Sequence, residues 1–178
     1  MRVAVIGAGI SGIASANILQ KNGFQAVVFE KSDKLGGVWA TAYPGVHLQN
    51  IYTQYHLSDF DWSFKPDFHP TGEQILRYLN EAVNALKLDV RLSHEVLETK
   101  EEENGWLVRY KNKDGIHEEH FDYVLLAIGQ YSSGKIEPQF AGQENFKGKK
   151  KVYGTVRFMQ GHDQKTSGCR PGREFLCL

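Results

Sequence analysis

Only two cysteines occur among the 178 residues, Cys169 and Cys177, and they lie close together near the C-terminal end. That spacing excludes a disulfide framework and a paired Cys-x-x-Cys metal site. An excess of charge is missing too: 21 Lys and Arg balance 21 Asp and Glu, which gives no basis for nucleic acid or an anionic membrane as the main partner. No apolar run approaches the roughly 18 residues of a membrane span. The seven histidines contain no His-x-x-x-His helix pair, so no metal centre is expected. No internal repeat is present. A strand expected from the second residue leaves no place for a signal peptide, and a reducing, cytoplasmic setting follows.

What is present is ordinary in bulk and specific at the start. Hydrophobic residues are 41% and charged residues 24%, the balance of a globular domain. The opening stretch RVAVIGAGISGIASA, Arg2 to Ala16, carries four apolar residues into a Gly-x-Gly-x-x-Gly turn at Gly7, Gly9 and Gly12. Val3 to Ile6 reads as a parallel strand covered on both faces. Ile10 to Lys21 reads as a helix, with Ile13, Ala14, Ile18 and Leu19 near helical spacing, ended around Asn22-Gly23. Ala26 to Phe29 is a second strand, closed by Glu30. Together these form a βαβ unit.

Residues 31–70 are loop-rich and aromatic, too aromatic to be disordered. They could line a substrate pocket or cover a cofactor. Thr71 to Gln74 spells a capping box, followed by a helix with Ile75, Leu79, Ala82, Val83 and Leu86 on one face. Val90 to Leu92 is a short strand. Residues 94–121 read as an antiparallel meander turning at Glu103-Asn-Gly105 and Lys113-Asp-Gly115. His117 and His120 fall on its opposite faces. Tyr123 to Ile128 reads as another buried strand, running into Gly129. The order predicts an α/β fold: a doubly wound, Rossmann-like parallel sheet with an inserted antiparallel β-meander.

The glycine turn points to a dinucleotide. Gly7 permits the tight turn, Gly9 lets the backbone approach the phosphates, and Gly12 lets helix and strand pack closely. The helix N-terminus offers free N–H groups to the pyrophosphate. Glu30 closes the second strand, placed to accept hydrogen bonds from ribose hydroxyls. This fingerprint does not choose between FAD and NAD. Gly36-Gly37 and Trp39 lean towards FAD, because a second glycine pair allows an extended cofactor to run on past its ribose.

With these residues in view, the chain resembles the flavin-containing monooxygenase family, a class B flavoprotein monooxygenase group. The matching pieces are GAGISG, Glu30, Gly36-Gly37-Val38-Trp39, LQNIYTQYHLSDFDW at Leu48 to Trp62, DYVLLAIGQYSSGKIEP and FAGQENFKG, over about residues 1–150. The resemblance implies FAD in a first domain, NADPH in a second, and O2 with a small nucleophilic substrate such as an amine or sulfide. Reduced flavin in that family forms a C4a-hydroperoxide whose distal oxygen the substrate attacks. Carried onto this sequence, Gly7, Gly9, Gly12, Glu30 and Lys31 hold the ADP half. Gly36, Gly37 and Trp39 line the run towards the flavin, the Val96 backbone meets the adenine, and Gly129 follows the last strand. Gln49 falls where many animal members have an asparagine near the flavin; it is the candidate catalytic group, or a glutamine that braces the loop.

Two departures stand out. The family signature Phe-x-Gly-x-x-x-His begins with Phe146 and Gly148 but has Val152 at its seventh position. After residue 150 the expected second Gly-x-Gly unit does not follow, so residues 1–150 read as an incomplete FAD-binding domain, 151–178 as an irregular tail, and the NADPH domain as absent. Lys147, Lys149, Lys150 and Lys151 read as a solvated run. One permitted coding of Pro171 to Cys177, read one base later, spells Gln-Ala-Gly-Asn-Ser-Ser-Ala, close to the missing motif. The tail therefore reads as out of frame, with His162, Cys169 and Cys177 without function. The alternatives to a monooxygenase are a non-catalytic truncated remnant and another two-nucleotide flavoprotein reductase.

Overall fold

In the computed structural model, which describes residues 1–130 and 140–148, the first apolar run forms strand β1 (Arg2–Ile6). Helix α1 (Ile10–Lys21) follows, then β2 (Gln25–Phe29), helix α2 (Gly72–Ala85) and the three-residue β3 (Asp89–Arg91). The meander comes next as β4 (Glu95–Glu102), β5 (Gly105–Asn112) and β6 (Gly115–Phe121), before β7 (Tyr123–Leu126) returns to the first sheet. Chain contacts divide the protein into two units, Met1–Ser132 and Ser133–Leu178. In the second, a single 3₁₀ turn at Gln143–Asn145 is described. The expectations for Lys149 to Lys151, Val152 and the tail lie outside the described residues.

Strands β3, β2, β1 and β7 lie side by side in that order, all parallel, with Ile6 level with Phe29 on one side and Leu126 on the other. Side chains alternate across the sheet, as the two-residue period of a strand requires. Val3, Val5, Ala26 and Val28 face the helices, where they pack with Ile13 and Ala16 of α1 and Ile75, Leu79 and Ala82 of α2. Ala4, Val27 and Phe29 face the meander and meet Val108, Tyr110 and Phe121. Burial on both faces is the reason β1 and β2 are continuous apolar runs.

The helix ends follow the local signals. Asn22 closes α1 by donating its side-chain amide to Ile18 O at 2.8 Å, and Gly23 takes φ +80°. At the start of α2, Gln74 N donates to Thr71 Oγ1 at 3.2 Å while Thr71 N donates to Gln74 Oε1 at 3.0 Å, the reciprocal capping box. The meander keeps its predicted turns, with a bulge between Val96 and Glu98. At the first turn Gly105 has φ +130°, and a Cβ there would come within 2.4 Å of Phe121 O.

A polar clamp ties the meander to the parallel sheet. Glu119 of β6 accepts from Arg2 of β1 at 2.9 Å, from Arg91 of β3 at 2.7 Å and from the Tyr110 hydroxyl of β5 at 2.7 Å. The same two guanidinium groups lie over aromatic rings, Arg2 over Phe121 and Arg91 over Phe29. Burial by itself would raise the Glu119 carboxyl, but the hydrogen bonds from Tyr110, Arg2 and Arg91 outweigh it and hold the group at about 2.

Two expectations need correction. The last strand ends at Leu126 rather than Ile128, and it is not buried: Tyr123 is 52% and Leu126 66% exposed. Its reason is position, since β7 pairs with β1 and with no other strand among the described residues. Of the apolar positions read along α1, Ile13 is buried and Ala14 and Leu19 pack against the core, whereas Ile18 is exposed; Gly12, Ala16 and Asn17 complete the buried set.

The clamp has a pH signature. Because its carboxyl sits below the ordinary 4.5, Glu119 contributes stability that is complete above that pH and is lost as pH falls towards 2. Glu119→Gln should cost about 1–3 kcal/mol at pH 7. Denaturant titrations of both proteins should converge as pH falls from 5 towards 2; a gap independent of pH would contradict this account.

Candidate functional site

The glycine turn lies where β1 hands over to α1, at the carboxyl ends of β1, β2 and β7. Gly7 has φ +108°, and a Cβ there would come within 2.5 Å of Ala127 O. A Cβ at Gly12 would meet Gly7 O at 1.9 Å. Both positions therefore require glycine for the packing of strand, turn and helix. Gly9 differs: its backbone is ordinary extended chain, and the nearest atom to an added Cβ is Gly37 Cα at 3.8 Å. Its requirement, if any, lies outside the fold.

Gly9 is also the N-cap of α1. No side chain caps this end, and its first turn contains no acidic residue. The helix thus presents its N-terminal N–H groups and the positive end of its dipole without an internal partner for them. This is chemistry suited to an anion, and the open face at Gly9 leaves room for one to approach the backbone.

Three neighbouring segments converge on this turn. Gly36 N donates to Ala8 O at 2.8 Å, and Gly37, at φ +58°, lies against Gly9. Glu30 at the end of β2 is half-buried, with Oε2 accepting from Ala8 N at 2.9 Å and Oε1 from Ser32 N at 2.9 Å. Beyond it, His94 N donates to Glu30 O at 2.8 Å, which brings the start of β4 and Val96 alongside. Gly7, Gly9, Gly12, Glu30, Gly36 and Gly37 are thus one site, with Val96 on its flank. Lys31 is exposed beside Glu30, and Gly129 is exposed just past β7. Gln49 is exposed on the chain between His47 and Asn50 that runs along Pro70 and Thr71.

Trp39 sits in a 3₁₀ turn, Gly37–Thr41, directly after the glycine pair. Its indole N–H donates to the Tyr55 hydroxyl at 2.8 Å, and the two rings meet edge to face. Burial pushes the Tyr55 phenol up, against the lowering effect of that bond, so it stays protonated.

The aromatic loop is tied down chiefly by a residue that the sequence reading passed over. Tyr78 of α2 is fully buried; its hydroxyl accepts from Leu57 N at 2.8 Å and donates to Phe60 O at 2.5 Å. The Trp62 ring packs on Tyr78 at 4.5 Å, and its indole N–H donates to Tyr52 O. Asp59 accepts from buried Asn17 and pairs with Lys21, both on α1; bonds from Lys21, Ser58 and Asn17 lower its carboxyl to about 2. Ser58 to Trp62 therefore anchors the loop to both helices. The available signal for Tyr78 was its helical spacing from Ile75 and Ala82. Among the described residues no group of three or more His, Cys, Asp or Glu side chains could hold a metal ion, and no helix is long and apolar enough to cross a membrane.

A sequence profile of the pyridine nucleotide-disulphide oxidoreductase family matches residues 4–166. The chain is 32% identical to a 4-hydroxybenzoate brominase (decarboxylating) of Pseudoalteromonas luteoviolacea over 99% of its own length and 33% of that protein's. It is 30% identical to the flavin-containing monooxygenase FMO GS-OX5 of Arabidopsis thaliana, over 76% of this chain and 37% of that one. The chain thus spans about a third of the length of these relatives. In fold it resembles a flavin-containing monooxygenase from Stenotrophomonas maltophilia, with TM-score 0.70 and 23% identity over 82% of this chain and 43% of that structure. The glycine turn, the α/β sheet and these likenesses agree: the chain belongs to the pyridine nucleotide-disulphide oxidoreductase family and is a flavoprotein of the flavin-containing monooxygenase type.

Proposed function

We propose that residues 1–150 are the FAD-binding portion of an NADPH-dependent monooxygenase that uses O2 to oxygenate a small soft nucleophile such as an amine or sulfide. One observation carries the flavin part: Gly9 is left open at an uncapped helix N-terminus while Glu30 and Gly36-Gly37 close around it. FAD, when bound, supplies the redox and oxygen chemistry. In this reading the N–H groups of the first turn of α1 receive the pyrophosphate. Glu30 accepts from the ribose on lone pairs not used by Ala8 and Ser32, and Lys31 lies beside it. The Val96 backbone flanks the adenine, Gly36, Gly37 and Trp39 border the run towards the flavin, and Gly129 lies just past β7 as a further cofactor contact. Gln49 carries a primary amide able to donate a hydrogen bond to a reacting oxygen. The Ser58 to Trp62 anchor, with Tyr78, acts as support that keeps this loop in place rather than as a reacting group. A cytoplasmic setting belongs to the same reading.

Glycine substitutions separate fold from binding. Gly9→Leu should keep the far-UV spectrum and melting temperature within a few degrees of the parent yet lose flavin absorbance after reconstitution with FAD. Gly12→Ala should instead unfold at markedly lower temperature, because its new methyl group meets the Gly7 carbonyl. Full flavin retention by Gly9→Leu would place the cofactor elsewhere.

Hydride transfer requires a nicotinamide oriented on the flavin, and the 178 residues contain one Gly-x-Gly-x-x-Gly turn following an apolar strand. The polypeptide of residues 1–178, given FAD, NADPH and a thioether, should therefore consume no O2 above the free-flavin background. Stoichiometric sulfoxide formation would overturn the expectation.

A further inference from the structure

Glu30 stands where three backbone segments meet. Its N–H donates to Arg91 O at 3.0 Å and its carbonyl accepts from His94 N at 2.8 Å. Its carboxylate is shared between two loops. Oε2 takes the Ala8 N–H inside the glycine turn, and Oε1 takes the Ser32 N–H together with the Ser32 hydroxyl at 3.0 Å. Ser32 is anchored in turn, since its carbonyl accepts from Ser93 N at 2.8 Å. Ser93 holds φ +57°, a left-handed conformation uncommon for serine, and keeps it at this contact.

From this arrangement we infer that Glu30 and Ser32 form a strap that sets the glycine turn in its receiving shape before a nucleotide arrives, with Ser32 a positioning residue of the site. The inference rests on the FAD reading above and deepens it. Its basis is a count of acceptors. Two N–H groups from different loops converge on one side chain, Ala8 buried and Ser32 half-buried, and backbone donors withdrawn from water require partners. A carboxylate has an oxygen for each of them. Glutamine has one oxygen, and its NH2 group would be turned towards the second N–H. Aspartate keeps two oxygens but is drawn back from both loops by one methylene. The acid therefore orders the turn during folding, and less ordering is left to be done on binding.

Amide exchange in the flavin-free full chain reads the strap without the cofactor. In the parent, Ala8 and Ser32 should exchange at least about tenfold more slowly than the same amides in unstructured chain. Glu30→Gln should raise the rate of at least one of the two about tenfold or more, since its single oxygen can serve only one of them, while Val5 and Val28 in the sheet stay protected as the folding control. Glu30→Asp should not restore protection, although it restores the charge. On adding FAD, half-maximal flavin uptake by Glu30→Gln should shift upward about tenfold, and that of Ser32→Ala in the same direction by less. Unchanged Ala8 and Ser32 exchange in Glu30→Gln would overturn the strap and leave the acid a ribose contact alone. If that variant does not fold, the parent rates decide: exchange of Ala8 and Ser32 at unstructured-chain rates overturns it equally. A parent with both amides protected but no flavin uptake would sink the FAD reading while upholding the strap.

Discussion

Helix α1 approaches strands β1 and β7 more closely than any side chain allows. At Gly12 the space for a methyl group is already occupied by the Gly7 carbonyl, and at Gly7 by the Ala127 carbonyl. This contact sets the direction of α1, and with it the point in space towards which the helix dipole is aimed. Ala8 is fully buried within the turn, so the carboxyl ends of β1, β2 and β7 are locked into one surface. The site follows from that: a backbone junction too tight for side chains leaves N–H groups, rather than side chains, as its outward chemistry.

The second constraint is the join between the parallel sheet and the meander. An apolar layer of Ala4, Val27, Phe29, Val108, Tyr110 and Phe121 gives it area, and Glu119 gives it register. A carboxylate shared by Arg2, Arg91 and Tyr110 admits little sliding, because each donor comes from a different strand. Since Arg91 closes β3 and His94 bonds to Glu30 three residues later, the meander is fixed on the same short segment that borders the glycine turn and Glu30. Its structural role and its nearness to the site have one origin.

Much of this was legible in the residues. The strand–glycine–helix opening, the Thr71 capping box and the two glycine turns of the meander are local signals, each complete within a few neighbouring positions, and each appears where expected. Strand β7 was misread because burial depends on how many strands flank it, which no run of apolar residues records. Ile18 was misread because the buried face of α1 runs through Gly12 and Asn17, which apolar spacing does not pick out. Tyr78 was passed over because its partners, Leu57 and Phe60, lie 21 and 18 positions away in an irregular loop. Glu30 was read as an acceptor for ribose, but its hold on Ala8 and Ser32 depends on geometry between loops. Resemblance identified the Ser58 to Trp62 segment; only the folded chain shows it bound to Asn17, Lys21 and Tyr78.

Ala4 contributes a single methyl group at the centre of the sheet, fully enclosed, with the ring of Phe29 and those of the meander packed on the same layer. Its neighbours Val3 and Val5 point the other way and answer to the helices. Sequence drift along β1 is therefore split by parity. Positions 3 and 5 can trade one branched aliphatic residue for another if the helices adjust, whereas position 4 is confined to the smallest side chains, since any enlargement would lift the meander and pull Glu119 from its three donors. A lineage could lose the meander's attachment through one added methylene at the middle of its first strand, more than a hundred positions before Tyr110, Glu119 and Phe121.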